Sequence, residues 1–218
     1  MSAILEVRDL RTQFNTLDGV VRAVDGVNFD DVIQNDLGDC FLMSSLSALA
    51  AVNPRAIEDA ITDNGDGTVT DDRTGLMWEK KSDDGGIHDK DNTYTWWSGV
   101  QTIVPYAMNG TMVNGFLSTL NTAPCFAGHC DWRIPNNTEL LSLVNYQQFD
   151  PATFSAFNTA CTAGCSVTTC SCTVSSDYWS SSTYRDSPDY AWGVASDGGV
   201  SAHVKILATS VRAVRGGS

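Results

Sequence analysis

Apolar and charged side chains alternate in the segment 131–134. Trp132 and Ile134 occupy every second position, which is the period of a strand with one buried face. Pro135 follows and lacks the N–H that a sheet ladder needs, so we expect the strand to end there. A short strand with a large aromatic on its inner face predicts a core against which the rest of the chain packs.

After Pro135 the apolar spacing changes to that of a helix. Asn136 or Asn137 can cap its first turn, because a short polar side chain accepts a hydrogen bond from a free backbone N–H. Leu140, Leu141 and Val144 then fall on one helical face. Segment 131–144 is therefore predicted to be a strand followed by a helix.

Turns and short strands are predicted on both sides of segment 131–144. Gly65 and Gly67 permit a turn between two strands, and an EF-hand is excluded because Arg73 would occupy its twelfth position. The apolar spacing predicts helices in 94–108, ending at Pro105, and in 113–120. Strands are predicted at 178–184, 190–194, 203–207 and 210–215, with turns at 186–189 and 196–199.

Large apolar residues of these elements form the predicted core. Its members are Trp78, Trp96, Trp132, Leu140, Leu141, Val144, Trp179, Trp192, Val211 and Val214. The first 61 residues contribute none of them. Residues 1–31 alternate like a β-hairpin with a turn at Asp18–Gly19, and Leu5, Val7 and Leu10 lie on its first strand. Residues 32–61 are predicted to be helical, so we expect three segments: 1–31, 32–61 and 62–218.

The charge of the chain excludes several partners. The 218 residues carry a net charge of −13, and no cluster of Lys or Arg is present. Nucleic acid and anionic lipid surfaces both require clustered positive charge, so neither is expected as a partner. No apolar stretch approaches the roughly 18 residues of a membrane-spanning helix, which predicts no membrane insertion. Oligomeric state is left open.

Six of the seven cysteines lie close together. They are Cys125, Cys130, Cys161, Cys165, Cys170 and Cys172, and Cys40 stands apart. A turn at Ala127–Gly128 would let Cys125 pair with Cys130, and we expect the other four to pair among themselves. Their spacing is unsuitable for zinc and no histidine is near. Disulfides indicate an oxidising compartment, outside the cell or at its surface, although residues 1–14 do not resemble a signal peptide.

An acidic loop offers the other candidate metal ligands. Asp83, Asp84, Asp89 and Asp91 could hold a cation, but solvated loop carboxylates are the expected reading. No metal and no cofactor is therefore predicted.

Four ordered blocks resemble a known family. They are 63–78 (DNGDGTVTDDRTGLMW), 131–144 (DWRIPNNTELLSLV), 177–184 (DYWSSSTY) and 191–217 (AWGVASDGGV…VRAVRGG). Over residues 62–217 the chain resembles the C-terminal domain of the Lcl collagen-like adhesins. That family is similar to C-type-lectin-like folds and is related to formylglycine-generating enzymes. The resemblance implies an α+β domain, with two short helices around an antiparallel sheet, that displays a binding surface.

The N-terminal segments resemble two other families. Residues 1–31 resemble the first hairpin of peptide-transporter ATP-binding subunits, but no G-x-x-x-x-G-K-[ST] loop follows, so ATPase activity is rejected. Residues 32–62 resemble the active-site segment of calpain-type cysteine peptidases. That resemblance implies Gln34 in the oxyanion hole, Cys40 as nucleophile and His203 as its base. The asparagine segment of that family is absent.

A non-catalytic binding or adhesion module is the favoured function, and a cysteine peptidase using Cys40 is the alternative. An oxidase like the formylglycine-generating enzymes is disfavoured, because no cysteine follows Cys172. The expected ligand is an extracellular carbohydrate or protein. Aromatic and charged residues meet in the loop between two predicted strands. The ligand-binding residues predicted there are Tyr184, Arg185, Asp186, Asp189 and Tyr190.

Overall fold

Two compact units make up the chain, Met1–Val52 and Asn53–Ser218. The computed structural model describes residues 10–16, 19–27, 60–100 and 106–216. In the first unit, β1 (Leu10–Thr16) pairs antiparallel with β2 (Gly19–Val27). The predicted hairpin is thus confirmed over these two strands.

Several N-terminal predictions fall on residues that the structure does not describe. Thr16 pairs with Gly19, and Asp18 of the turn predicted at Asp18–Gly19 lies outside the described residues. Leu5, Val7 and the helix expected in 32–61 lie outside the described residues.

The regular secondary structure of the second unit is mainly short antiparallel strands. They are β3 (Ile61–Asp63), β4 (Thr68–Asp71), β5 (Leu76–Glu79), β6 (Tyr94–Thr95), β7 (Asp177–Thr183), β8 (Tyr190–Ala195), β9 (Val200–Val204), β10 (Ala208–Thr209) and β11 (Val214–Gly216). They form a four-stranded sheet in the order β11-β5-β4-β3, a three-stranded sheet β7-β8-β9, and the pair β6-β10. The turn predicted around Gly65 and Gly67 joins β3 to β4, as expected.

Short helices complete the unit. A π-helical turn (Met112–Leu117) continues as α1 (Ser118–Leu120), and α2 spans Asn137–Leu141. The helix predicted in 113–120 is confirmed. With many short strands and few short helices, the fold is α+β. Among the described residues, no helix has the length and apolar content that crossing a bilayer requires.

A capping box starts α2. Asn136 Oδ1 accepts a hydrogen bond from the Glu139 N–H at 2.9 Å, and Glu139 Oε2 accepts one from the Asn136 N–H at 2.7 Å. Two backbone donors that the first helical turn would leave free are thereby satisfied. Of the two asparagines considered, Asn136 is the cap. Leu140 is buried beneath the helix, and Leu141 and Val144 are partly buried.

The strand predicted at 131–134 is reduced to one bridge. Arg133 and Val214 exchange two backbone hydrogen bonds of 2.9 Å, and no longer ladder forms. The inner face is as predicted, since Trp132 is 3% exposed and Ile134 is 2% exposed.

The helix predicted in 94–108 is wrong over its described part. Tyr94–Thr95 is a strand, and the backbone N–H groups of Trp96 and Trp97 both donate to Lys205 O, at 3.1 and 3.0 Å. These tertiary hydrogen bonds replace the helical ones. Val100, expected on the apolar face, is 82% exposed. Ile103 and Val104 lie outside the described residues.

The last predicted strands also differ from the structure. β9 ends at Val204, and β11 belongs to the four-stranded sheet rather than to the sheet of β7–β9. Ser210 forms only an isolated parallel bridge with Tyr178. The chain therefore crosses from one sheet to the other between Ser210 and Val214.

Two apolar clusters form the core of the second unit. The first contains Trp96, Met112, Phe116, Leu117, Leu120, Trp132, Ile134, Trp179, Ala191, Val211 and Ala213. The second contains Val69, Leu76, Trp78, Leu140, Leu143, Phe154, Phe157, Tyr178, Val194 and Val214. Most of the predicted core is thus buried, whereas Trp192 is only half-buried.

Candidate binding surface

The loop between β7 and β8 carries all five predicted ligand-binding residues. Tyr184 N–H donates to Tyr190 O at 2.9 Å, which closes the loop, and Tyr190 N–H donates to Ser187 O at 2.8 Å. Arg185 and Asp186 at its tip are exposed. The closed backbone therefore presents one cation and one anion side by side.

Tyr184 is held at the edge of this loop by an aromatic neighbour. Its ring meets that of Trp192 edge-to-face, with centroids 4.9 Å apart. Both rings are half-buried, so each keeps part of its surface toward solvent. Asp189 and Tyr190 are also half-buried.

Lys205 fixes the loop from below. Its Nζ donates to Pro188 O at 2.8 Å, to Thr183 Oγ1 at 2.9 Å and to Tyr106 O at 3.2 Å. Its backbone N–H donates to Asp189 O at 2.9 Å. The two ends of the loop are therefore tied to one side chain.

The environment of Lys205 is unusual for a lysine. Its side chain is fully buried, and Nζ lies 3.9 Å from the centroid of the Trp96 ring, which favours a cation. Burial lowers the pKa of Lys205, and the charge of Asp189 opposes that effect. From the sequence, Lys205 would be taken for a surface residue of an alternating strand, so its role could not be anticipated.

The six clustered cysteines form three disulfides with the expected local pairing. They are Cys125–Cys130, Cys161–Cys172 and Cys165–Cys170, with Cα separations of 5.1, 5.2 and 5.9 Å. A turn at Ala127–Gly128 closes the first loop, as predicted. Cys40 lies outside the described residues. Such pairs are compatible with an oxidising environment.

The acidic loop satisfies its own carboxylates. Asp83, Asp89 and Asp91 lie close together, but Lys90 Nζ is 3.3 Å from Asp83 Oδ1 and 2.6 Å from Asp91 Oδ2. Asp89 accepts the backbone N–H groups of Gly85 and Asp91 at 2.6 and 2.9 Å. These bonds help keep the pKa of Asp89 below its ordinary value, although burial opposes them. Lys90 and backbone N–H groups therefore bind these carboxylates within the loop itself.

Comparison with known proteins identifies the second unit. The family model of the Lcl C-terminal domain matches residues 67–215. The chain belongs to the Lcl C-terminal domain family. The expected resemblance is confirmed, and the match leaves segments 1–31 and 32–61 outside its range. No curated protein and no solved structure matches the chain.

Glu79 and Lys81 form a buried ion pair in the Lcl C-terminal domain of this chain. Glu79 Oε1 accepts hydrogen bonds from Lys81 Nζ at 3.0 Å and from His88 Nδ1 at 2.7 Å, and Oε2 accepts one from Ala213 N–H at 2.9 Å. Burial opposes ionisation of Glu79, but Lys81 and His88 hold the pKa of its carboxyl below the ordinary value. Burial also raises the pKa of Tyr94 to about 12, with a contribution from the charge of Glu79.

His203 is the only residue of the predicted peptidase set that the structure describes; Gln34 and Cys40 lie outside that part of the chain. His203 Nε2 is 2.8 Å from Ser201 Oγ and 3.4 Å from Asp177 Oδ2. A catalytic histidine uses one ring nitrogen for the nucleophile and the other for the orienting carboxylate. Here both partners face the same nitrogen, so these three residues are not arranged as a triad.

Proposed function

We propose that the Lcl C-terminal domain of this chain is a non-catalytic binding module of the C-type-lectin-like type. Its binding surface is the loop Tyr184–Tyr190, and its ligand is a carbohydrate or a protein outside the cell. The observation that carries the proposal is the anchoring of this loop by Lys205. The predicted ligand residues lie on a segment whose shape is set before any ligand arrives.

Preorganisation matters because binding otherwise costs the ordering of the loop. Each immobilised long side chain costs roughly 0.5–1.5 kcal/mol, and fixing a backbone adds to this. Lys205 Nζ bonds to Pro188 O and Thr183 Oγ1 in the folded domain. The loop is therefore ordered when the domain folds, and ligand binding does not have to order it. Tyr184 supplies an aromatic face with a hydroxyl, which suits both sugar rings and protein surfaces.

Charge and covalent structure agree with this role. The guanidinium of Arg185 can donate hydrogen bonds to a polar ligand, and the carboxylate of Asp186 can accept them. The three disulfides support a domain that works in an oxidising environment. An extracellular location follows from this proposal.

The direct test removes the charged tip of the loop. The full chain and the variant Arg185→Ala/Asp186→Ala are applied to an array of defined glycans and to immobilised purified matrix proteins. We expect the double variant to fold normally and to lose at least about tenfold in affinity for the probe that binds. Asp72→Ala, which removes another exposed carboxylate, serves as the control and should bind like the parent. Binding that survives in the double variant would place the site elsewhere.

A second test addresses the anchor. Lys205→Met keeps much of the side-chain volume but removes the donors to Pro188, Thr183 and Tyr106. We expect faster amide exchange in the loop and weaker binding, although Lys205 itself touches no ligand. Lys80→Met removes a different buried lysine, paired with Asp63 at 2.7 Å, and should leave loop exchange unchanged. Equal exchange in both variants would contradict the proposed preorganisation.

A further inference from the structure

The sulfur atoms of the two disulfides in segment 161–172 gather at one point. Cys172 Sγ is bonded to Cys161, yet it also lies 3.9 Å from Cys165 Sγ and 3.9 Å from Cys170 Sγ. The sulfurs of Cys161, Cys165 and Cys172 all lie within 4.8 Å of one another. A tetrahedral zinc with Zn–S bonds of about 2.3 Å has sulfur–sulfur edges of about 3.8 Å. The two non-bonded distances from Cys172 Sγ therefore match the edge of a tetrathiolate site.

Backbone hydrogen bonds hold two of these cysteines, Cys165 and Cys172, in addition to their covalent bonds. Cys172 N–H donates to Lys81 O at 2.9 Å, and Asp83 N–H donates to Cys165 O at 3.0 Å. Ser171 and Thr159 exchange two further bonds of 2.8 and 2.9 Å. The main chain is thus anchored to segments outside the disulfide loop.

A buried positive charge lies beside the sulfur cluster. Arg212 is 2% exposed, and its guanidinium donates to Glu79 O and Cys172 O, both at 2.8 Å, and to Thr173 Oγ1 at 3.0 Å. All three acceptors are uncharged. Within 60–100 and 106–216, no carboxylate lies at ion-pair distance from Arg212, and the carboxylate of Glu79 is taken by Lys81 and His88.

A tetrathiolate zinc carries two negative charges, whereas disulfides carry none. An unpaired buried charge is costly, so a compensating anion beside Arg212 is favoured. Access also fits, because Cys161 is exposed and Cys165 half-exposed, while Cys170 and Cys172 are buried. A metal ion can therefore enter from one side and be enclosed on the other.

We propose that, in the reduced chain, Cys161, Cys165, Cys170 and Cys172 form a tetrathiolate site for Zn²⁺. The spacing of these residues along the chain argued against zinc, but the fold places Cys172 Sγ, which is bonded to Cys161, 3.9 Å from both sulfurs of the other disulfide. The site holds the loop in shape in a reducing compartment. Oxidation then replaces the metal by the two disulfides.

The chemistry balances in both directions. Two equivalents of a dithiol reductant supply four electrons and four protons, the two S–S bonds break, and four thiols result. Binding of Zn²⁺ displaces the four thiol protons to solvent. Two equivalents of a disulfide oxidant later accept four electrons from the thiolates and four protons from solvent, the bonds Cys161–Cys172 and Cys165–Cys170 form, and Zn²⁺ leaves.

The test uses the full chain with Cys40→Ser, which removes the seventh thiol, and the unaltered chain in parallel. Each is reduced with a trialkylphosphine under argon and titrated with Zn²⁺ or with Co²⁺, whose visible spectrum reports tetrahedral thiolate ligation. We expect one tightly held metal per chain with that spectrum. Cys125→Ser/Cys130→Ser should bind equally well, because this pair belongs to a different loop.

Single ligand variants decide the assignment. Cys161→Ser and Cys170→Ser should each weaken Zn²⁺ binding by more than about 10–100-fold, the loss that follows removal of even an outer partner of a zinc site. Circular dichroism follows folding in each sample. Absence of metal uptake by the reduced chain, whether folded or unfolded, would overturn the proposal. So would unchanged affinity in Cys170→Ser, or zinc retained after both disulfides have re-formed.

Discussion

Trp132 joins the first core cluster to two neighbouring loops. Its ring lies 5.1 Å from that of Phe126, and its indole N–H donates to Phe126 O at 3.1 Å. Its backbone N–H donates to Asn121 Oδ1 at 2.8 Å. The Trp132 side chain therefore connects the core with the disulfide loop 125–130, and its backbone connects the core with the residue that follows α1.

Replacing Trp132 by alanine tests this connection. Truncating a buried Trp costs about 3–5 kcal/mol, because apolar contacts are lost and a cavity remains. We expect Trp132→Ala to lower the free energy of unfolding by that amount in urea denaturation. Phe149→Ala is the matched control, because Phe149 is 88% exposed and its loss should change stability by less than about 0.5 kcal/mol. Similar midpoints for both variants would show that Trp132 is not a core residue.

A second prediction concerns the buried ion pair between Glu79 and Lys81. Glu79→Gln leaves the fully buried Lys81 without its counter-ion, and breaking a buried pair in this way costs about 3–5 kcal/mol. Asp131→Asn is the control: the pair with Arg215 leaves Asp131 60% exposed, so its loss should cost at most about 1 kcal/mol. If both variants unfold at the same denaturant concentration, the buried pair contributes no net stability.

The contribution of Glu79 to the stability of the folded domain depends on pH in a known direction. Its pKa is lower in the folded state than its ordinary value of 4.5, so the unfolded chain binds the proton more tightly. The stabilisation from Glu79 is therefore complete above that value and is lost as the pH falls below it. The stability difference between the parent and Glu79→Gln should therefore shrink with acidification in this range, as measured by urea denaturation at a series of acidic pH values.

At the scale of elements, the disulfide segment is expected to respond to reduction separately from the core. The loops closed by the three bonds are short, so each bond adds less stability than a long-range one. In reducing buffer with a metal chelator, amide exchange should accelerate in residues 158–176. Tryptophan fluorescence should stay that of the folded domain. Loss of the folded fluorescence on reduction would show that the bonds hold the core as well.

Local patterns predicted those elements whose geometry depends on neighbours in sequence. The alternation around Trp132 and the cap at Asn136 are decided within a few residues, and both agree with the structure. The spacing of Trp96, Trp97 and Val100 also suggested a helix. There the outcome depends on Lys205 O, which accepts both tryptophan N–H groups from more than a hundred positions away. No local pattern contains that acceptor.

The same limit applies to the binding surface. The residues at the tip of the β7–β8 loop were identified because charges and aromatics stand out between two strands. Lys205, which fixes the loop, was not identified because an isolated lysine usually points to solvent. Its burial becomes visible only when the carbonyls of Tyr106 and Pro188 are brought around it.

At the scale of the whole molecule, we expect residues 62–218 to fold without the rest of the chain. Both core clusters and all three disulfides lie in this segment. Limited proteolysis should yield a resistant fragment that begins between about 55 and 65, since domain boundaries fall where few contacts cross. The fragment should retain the amide-exchange protection of the parent domain. Unfolding of the fragment after removal of residues 1–40 would contradict this expectation.

The position of β11 in its sheet has a consequence for biosynthesis. β11 pairs with β5, and the neighbouring Arg212 side chain reaches Glu79 O, 133 residues earlier in the chain. Contacts between such distant residues form slowly, because a long loop must close first. On the ribosome, we therefore expect the four-stranded sheet to stay incomplete until β11 has emerged. A chain truncated after Thr209 should leave Trp78 accessible to fluorescence quenchers, and native-like protection of Trp78 would refute this order of events.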